Sequence, residues 1–116
     1  MIKKFLAAAI VGVIICAGVK VEAAEIFAGT SPATGYNCYV LTNTISRKNE
    51  HRMLIISATL KTVDQYGDAH YLDYKFFDLD GDSIDVDFTN SQGFSGKATA
   101  ENTPIEWAMY TIIREY

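Results

Sequence analysis

The chain has 116 residues, a formal net charge of −4, 49% hydrophobic residues, two cysteines, two histidines and one tryptophan. That length allows one domain at most. The composition is too apolar and aromatic for a chain disordered throughout, and the chain is too short to build two lobes around a deep cofactor cleft.

These totals mix two segments. Lys3 and Lys4 precede fifteen uncharged residues, Phe5–Val19, and Lys20 closes the run. Val21-Glu22-Ala23 then places small or apolar residues at the −3 and −1 positions of a cleavage site after Ala23. This is the layout of a cleaved secretory signal over residues 1–23, and it predicts a secreted, periplasmic or cell-envelope protein. A transmembrane anchor would need about 20 apolar residues, and a lipoprotein signal at Cys16 would need a small residue where Ile15 stands. The leader takes Lys3, Lys4, Lys20 and Glu22 with it, which leaves 93 residues with 7 basic and 13 acidic groups, a charge of −6. An acidic product lacks the footprint for phosphate backbones, so no nucleic-acid partner is expected, and a membrane is met only through an uncleaved leader. Cys38 is then the sole cysteine, so stability must come from the core and not from an internal disulfide.

In chain order, Ala24–Gly29 reads as a short first strand and Thr30–Gly35 as a loop. Tyr36–Leu41 is a β-prone run, with Thr42–Ile45 its continuation or a turn-flanking piece and Arg47–Glu50 a charged turn. In Arg52–Val63, Leu54, Ile56, Ala58 and Leu60 alternate onto one face. His70–Asp78 does the same with Leu72, Tyr74 and Phe76. Asp80-Gly81 signals a hairpin, after which Ile84, Val86 and Phe88 alternate with Asp85 and Asp87. Asn90–Gly96 is a loop, and Gly96–Ala100 a possible edge strand. Thr103-Pro104-Ile105-Glu106 fits a capping box. The helix it opens gathers Ile105, Ala108, Met109, Ile112, Ile113 and Tyr116 on one side, with Trp107, Tyr110 and Arg114 elsewhere. The expectation is an α+β domain over residues 24–116: an antiparallel meander of about 4–6 strands with one C-terminal helix packed on the sheet.

Cys38-Tyr39-Val40, Thr44-Ile45-Ser46-Arg47, a long strand ending at Leu60-Lys61, and Tyr71–Phe77 together resemble the surface-adhesin E-like family and other short bacterial exported proteins. The likeness covers about half of the mature chain. It implies a small β-rich envelope domain and, in some members, adhesion to host proteins. No family binding residue maps onto this chain by motif.

Candidate chemistry is sparse. Asp78, Asp80, Asp82, Asp85 and Asp87 fall within ten residues, and clustered carboxylates on a turn can hold calcium; Asp78, Asp80 and Asp82 are the candidate ligands. If Gly81 is an EF-hand loop glycine, however, Phe76 takes the first ligand position and Asp87 stands in place of the final glutamate. The simpler reading is a turn and a solvent-facing strand edge without a metal. Cys38 lies in an apolar run and reads as a core side chain. His51 and His70 make no metal spacing. Gly93–Lys97 satisfies neither a nucleophile elbow nor a phosphate loop. No cofactor is expected.

Apolar surface is in excess. Met53, Ile55, Tyr71 and Phe77 oppose the main apolar rows, so the sheet is either curled nearly closed or offers its second face to a partner. On the helix, Trp107, Tyr110 and Arg114 form a second candidate patch, with spacing for an aromatic–guanidinium stack. The expected function is a non-catalytic, adhesin-like exported module that binds a protein partner or itself. The alternatives are a membrane-anchored structural envelope protein and, beyond it, a small hydrolase or a calcium-binding domain.

Overall fold

In the computed structural model, which describes residues 24–116, six strands follow one another across a single antiparallel sheet in the order β1-β2-β3-β4-β5-β6. They are β1 (Glu25–Thr30), β2 (Asn37–Glu50), β3 (Met53–Val63), β4 (Ala69–Leu79), β5 (Val86–Asn90) and β6 (Ser95–Lys97), and helix α1 (Pro104–Arg114) packs on one face. The meander arises because each link is short. The expected cleavage site, the anchor reading and the lipoprotein reading at Cys16 fall outside the described residues. Among the described residues no helix is long and apolar enough to cross a membrane.

Alternation on the three long strands sends Cys38, Val40, Ile56, Ala58, Leu60, Tyr74 and Phe76 to one face, as period-2 side-chain geometry requires. Val86 and Phe88 extend that face on β5, and Ile105, Met109, Tyr110 and Ile113 close it from the helix. Gly29 sits at a bulge in β1 with φ +134°, where a side-chain carbon would stand 3.3 Å from Ile105 Cδ1. Only glycine lets β1 pass so close under the helix.

Three details depart from the sequence expectation, and a fourth decides between two alternatives that it leaves open. The charged stretch Arg47–Glu50 is strand rather than turn, and the turn is His51-Arg52, both at positive φ. Within β2, Thr42–Ile45 are opposed by Ala58 alone, since pairing resumes only at Ser46↔Ser57. Thr44 repairs this bulge: its Oγ1 donates to Leu41 O at 2.6 Å and accepts from Thr59 N at 2.8 Å. Three extra residues reverse the alternation, which turns Arg47 toward the helix, where its guanidinium donates to Ile113 O at 2.9 Å. Ile84, expected inside with Val86 and Phe88, lies in the β4–β5 turn and is 83% exposed. Its amide donates to Asp82 Oδ1, a local turn bond that holds it out of the strand. Finally, the sheet stays open: among the described residues β1 pairs only with β2, and β6 only with β5. Closure therefore does not account for the apolar residues on the second face.

Candidate functional site

An eleven-residue helix is about 16 Å long, while β3 at the same residue count runs about 36 Å. The helix therefore cannot roof the whole core face. Beyond its N-terminus, where β2 begins and β3 ends, the uncovered sheet floors a cavity of about 490 Å³. Cys38, Leu60 and Leu72 form part of the floor, Glu106 and Ile105 the helix wall, and the β1–β2 loop from Ser31 to Tyr36 the outer lip. That loop is tied by Ser31 N to Tyr36 O and Gly35 N to Ser31 O, each 2.8 Å.

The capping box places its residues correctly but not its bonds. Thr103 is the N-cap and Pro104 follows it, yet the threonine makes no cap bond. Its hydroxyl donates to Lys97 O at 2.8 Å and accepts from Thr99 N at 2.7 Å, which closes the turn before the helix. Glu106, released from the reciprocal bond, accepts from the Tyr74 hydroxyl at 2.7 Å through Oε2. Burial, together with this carboxylate, pushes the Tyr74 phenol well above its ordinary range. Burial first, then the Glu106 charge, also raises the Cys38 thiol. The sulfur donates to Tyr36 O at 3.6 Å. A buried thiol raised in this way is a poor nucleophile, because the thiolate is the reactive form. His70, on the cavity rim, stacks on Tyr36 with ring centroids 6.3 Å apart and bonds Asp64 at 3.0 Å.

The other end of the helix is filled. Asp78 is fully buried. Both of its oxygens accept from Ser83 N, at 3.1 and 3.0 Å, and Oδ2 also accepts from the Tyr110 hydroxyl. Arg114 donates to Gly81 O at 2.9 Å and to the Ser83 hydroxyl. This network decides the placement of two sets of candidate residues. The candidate calcium ligands do not converge: Asp78 points inward, Asp80 holds Arg52 with contacts of 2.8 and 3.0 Å, and Asp82 accepts from Ile84 N. No metal-binding group of three or more His, Cys, Asp or Glu occurs among the described residues. Nor do Trp107, Tyr110 and Arg114 form a surface patch. Tyr110 is fully buried against Phe76, Arg114 is spent on the β4–β5 turn, and Trp107 is half-buried against the core. Ile105, Met109 and Ile113 face inward as the sequence reading places them, but Tyr110 joins them, and Tyr116 lies beyond the helix end and is exposed.

Tyr71 and Phe77 lie on the second sheet face. Cross-strand register aligns Phe27, Tyr39, Lys61 and Tyr71 in one row, and Lys48, Ile55, Phe77 and Asp87 in another. Phe27 is 55% and Tyr71 60% exposed, whereas Phe77 is half-buried. Lys61 bonds Glu25 at 3.0 Å, and Lys97 bonds Asp85 and Asp87 at 2.6 and 2.9 Å. The sequence reading found the two strand faces but missed the cavity. Its signal was the mismatch between one short helix and three long strands.

Comparison of the chain with protein-family profiles, with curated proteins and with solved structures finds no match.

Proposed function

We propose that this chain is an exported, non-catalytic binding module that takes a protein partner on the uncovered face of its sheet. The observation that carries the reading is the row Phe27–Tyr39–Lys61–Tyr71, whose outer aromatics stand more than half exposed. Exposed aromatics bordered by ion pairs match the apolar centre and polar rim of protein interfaces. Tyrosine is also among the residues that dominate binding energy when buried in a complex. The mixture of acidic and basic residues on this face favours a protein over an anionic membrane or a nucleic acid. The resemblance of residues 38–77 to adhesin-like exported domains points the same way. The non-catalytic part of the reading is supported by Cys38, whose buried thiol is held in its unreactive protonated form.

The test is site-specific photo-crosslinking in the native envelope, with the reactive group placed in turn at Phe27, Tyr71 and Ile84. Discrete protein adducts from positions 27 and 71, and none from the exposed turn at 84, are the expected result. Adducts equally frequent from 84, or none from 27 and 71, overturn it. Adducts to a second copy of the chain would replace the partner with self-association, which light scattering then quantifies. The mass of the exported product checks removal of residues 1–23 independently.

A further inference from the structure

The cavity at the N-terminal end of α1 lies on the opposite face from the proposed partner surface and has a chemistry of its own. Its volume, about 490 Å³, falls in the range of small-molecule sites. The floor is apolar, with Leu60, Leu72 and Cys38, and Tyr36 and Tyr74 line the walls. Among the described lining residues there is no lysine or arginine. The one basic side chain, His70, is already paired with Asp64. The one carboxylate is Glu106. Tyr74 occupies its Oε2, which leaves Oε1 for a second donor, and a carboxylate has room for several.

We infer that this cavity binds a small organic ammonium: a cationic amine that carries an aromatic or aliphatic body of modest size. The ammonium meets Glu106 in a partly desolvated wall, where a charge-assisted hydrogen bond to the carboxylate holds it, with Tyr36 and Tyr74 among the neighbouring lining residues. The body replaces water over Leu60 and Leu72. An anionic ligand would meet the like charge of Glu106 with no lysine or arginine among the lining residues to offset it. The disfavour already shows in the two neighbouring acids: Glu106 contributes to holding both the Cys38 thiol and the Tyr74 phenol in their neutral forms. A neutral ligand of the same shape would gain the apolar contacts but not the charge.

Three probes that share one body separate these cases: 3-phenylpropan-1-amine, 3-phenylpropan-1-ol and 3-phenylpropanoate, each titrated into the purified isotope-labelled protein and followed by NMR chemical shifts. The expected result is saturable shifts at Leu60, Leu72, Tyr74 and Glu106. The amine should bind about tenfold or more tightly than the alcohol, with the carboxylate weakest. Glu106→Gln should bring the amine to the level of the alcohol while leaving the alcohol unchanged. Leu72→Trp, which fills the floor, should block all three probes. Equal binding of amine and alcohol, preference for the carboxylate, shifts centred elsewhere, or no saturable shift each overturns the inference. The comparison of probes on the unaltered protein stands even where a variant fails to fold.

Discussion

The two ends of helix α1 carry the same chemical pair, a tyrosine hydroxyl donating to a carboxylate 32 residues away in sequence, and use it in opposite ways. At the C-terminal end, Tyr110 and Asp78 are fully buried, and Asp78 also accepts twice from Ser83 N. Arg114 and Arg47 then close that end against Gly81 O and Ile113 O. At the N-terminal end, Glu106 holds Tyr74 with one oxygen and lines a cavity. The pair itself does not decide whether a polar contact is a lock or a site. What decides is how many further donors saturate the carboxylate and whether the fold covers it. The bulge in β2 contributes to that asymmetry, because it delivers Arg47 to the C-terminal end of the helix.

The largest expected effect tests this contrast directly. Asp78→Ala strips the acceptor from a buried hydroxyl and a part-buried amide, and a buried group left unsatisfied costs about 1–3 kcal/mol. The variant should therefore lose about 3 kcal/mol or more of stability in urea denaturation. Tyr74→Phe removes only one hydroxyl from a carboxylate that water can reach, and should cost at most about 1 kcal/mol. Equal losses from the two variants would erase the distinction between a sealed and an open end.

A smaller effect sharpens it. Arg114→Ala should release the β4–β5 turn from the helix at a cost of about 1 kcal/mol, since the side chain is only partly buried. Hydrogen exchange should quicken at the turn amides, Ser83 above all, while amides around Glu106 keep their wild-type rates. Quickening at both ends would mean that the helix responds as one unit and that its two ends are not separable.

The meander was legible because alternation in β3 and β4 is clean and each link is short. The helix start was legible from Thr103-Pro104. The failures share a cause, which is a polar side chain bonding where periodicity does not look. Thr103 turns back to Lys97 O instead of capping, Thr44 repairs a bulge that reverses the alternation of β2, and Asp82 holds Ile84 out of its strand. Tyr110 was misplaced because a helical wheel treats a phenol beside the apolar stripe as outward-facing, whereas a buried carboxylate supplied by β4 draws it inward. Asp78 looked like one of several surface acids in an Asp-rich hairpin. Its burial depends on Ser83 and Tyr110, neither of which its own strand periodicity reveals.

The smallest expected effect lies at the open end, where the polar contacts remain within reach of water. His70 bonds Asp64, which also accepts from the amides of Tyr66 and Asp68 at 2.9 and 3.0 Å. These bonds, the one from His70 first, favour the ionised carboxyl and hold Asp64 below its ordinary value. A carboxyl whose folded value is depressed contributes stability that is fully present above its unfolded value, about pH 4. That contribution is lost as pH falls through the lower folded value. Carbon-detected NMR titration of the Asp64 carboxyl should place its midpoint below that of an unstructured aspartate. His70→Ala should move the midpoint upward without displacing the β3–β4 turn, because the two amide bonds remain. The thermal midpoint near neutral pH should change little, because the His70 side chain is more than half exposed. An unmoved carboxyl midpoint in His70→Ala would show that the backbone amides alone set it. A large thermal loss would show that the open end is locked as firmly as the closed one.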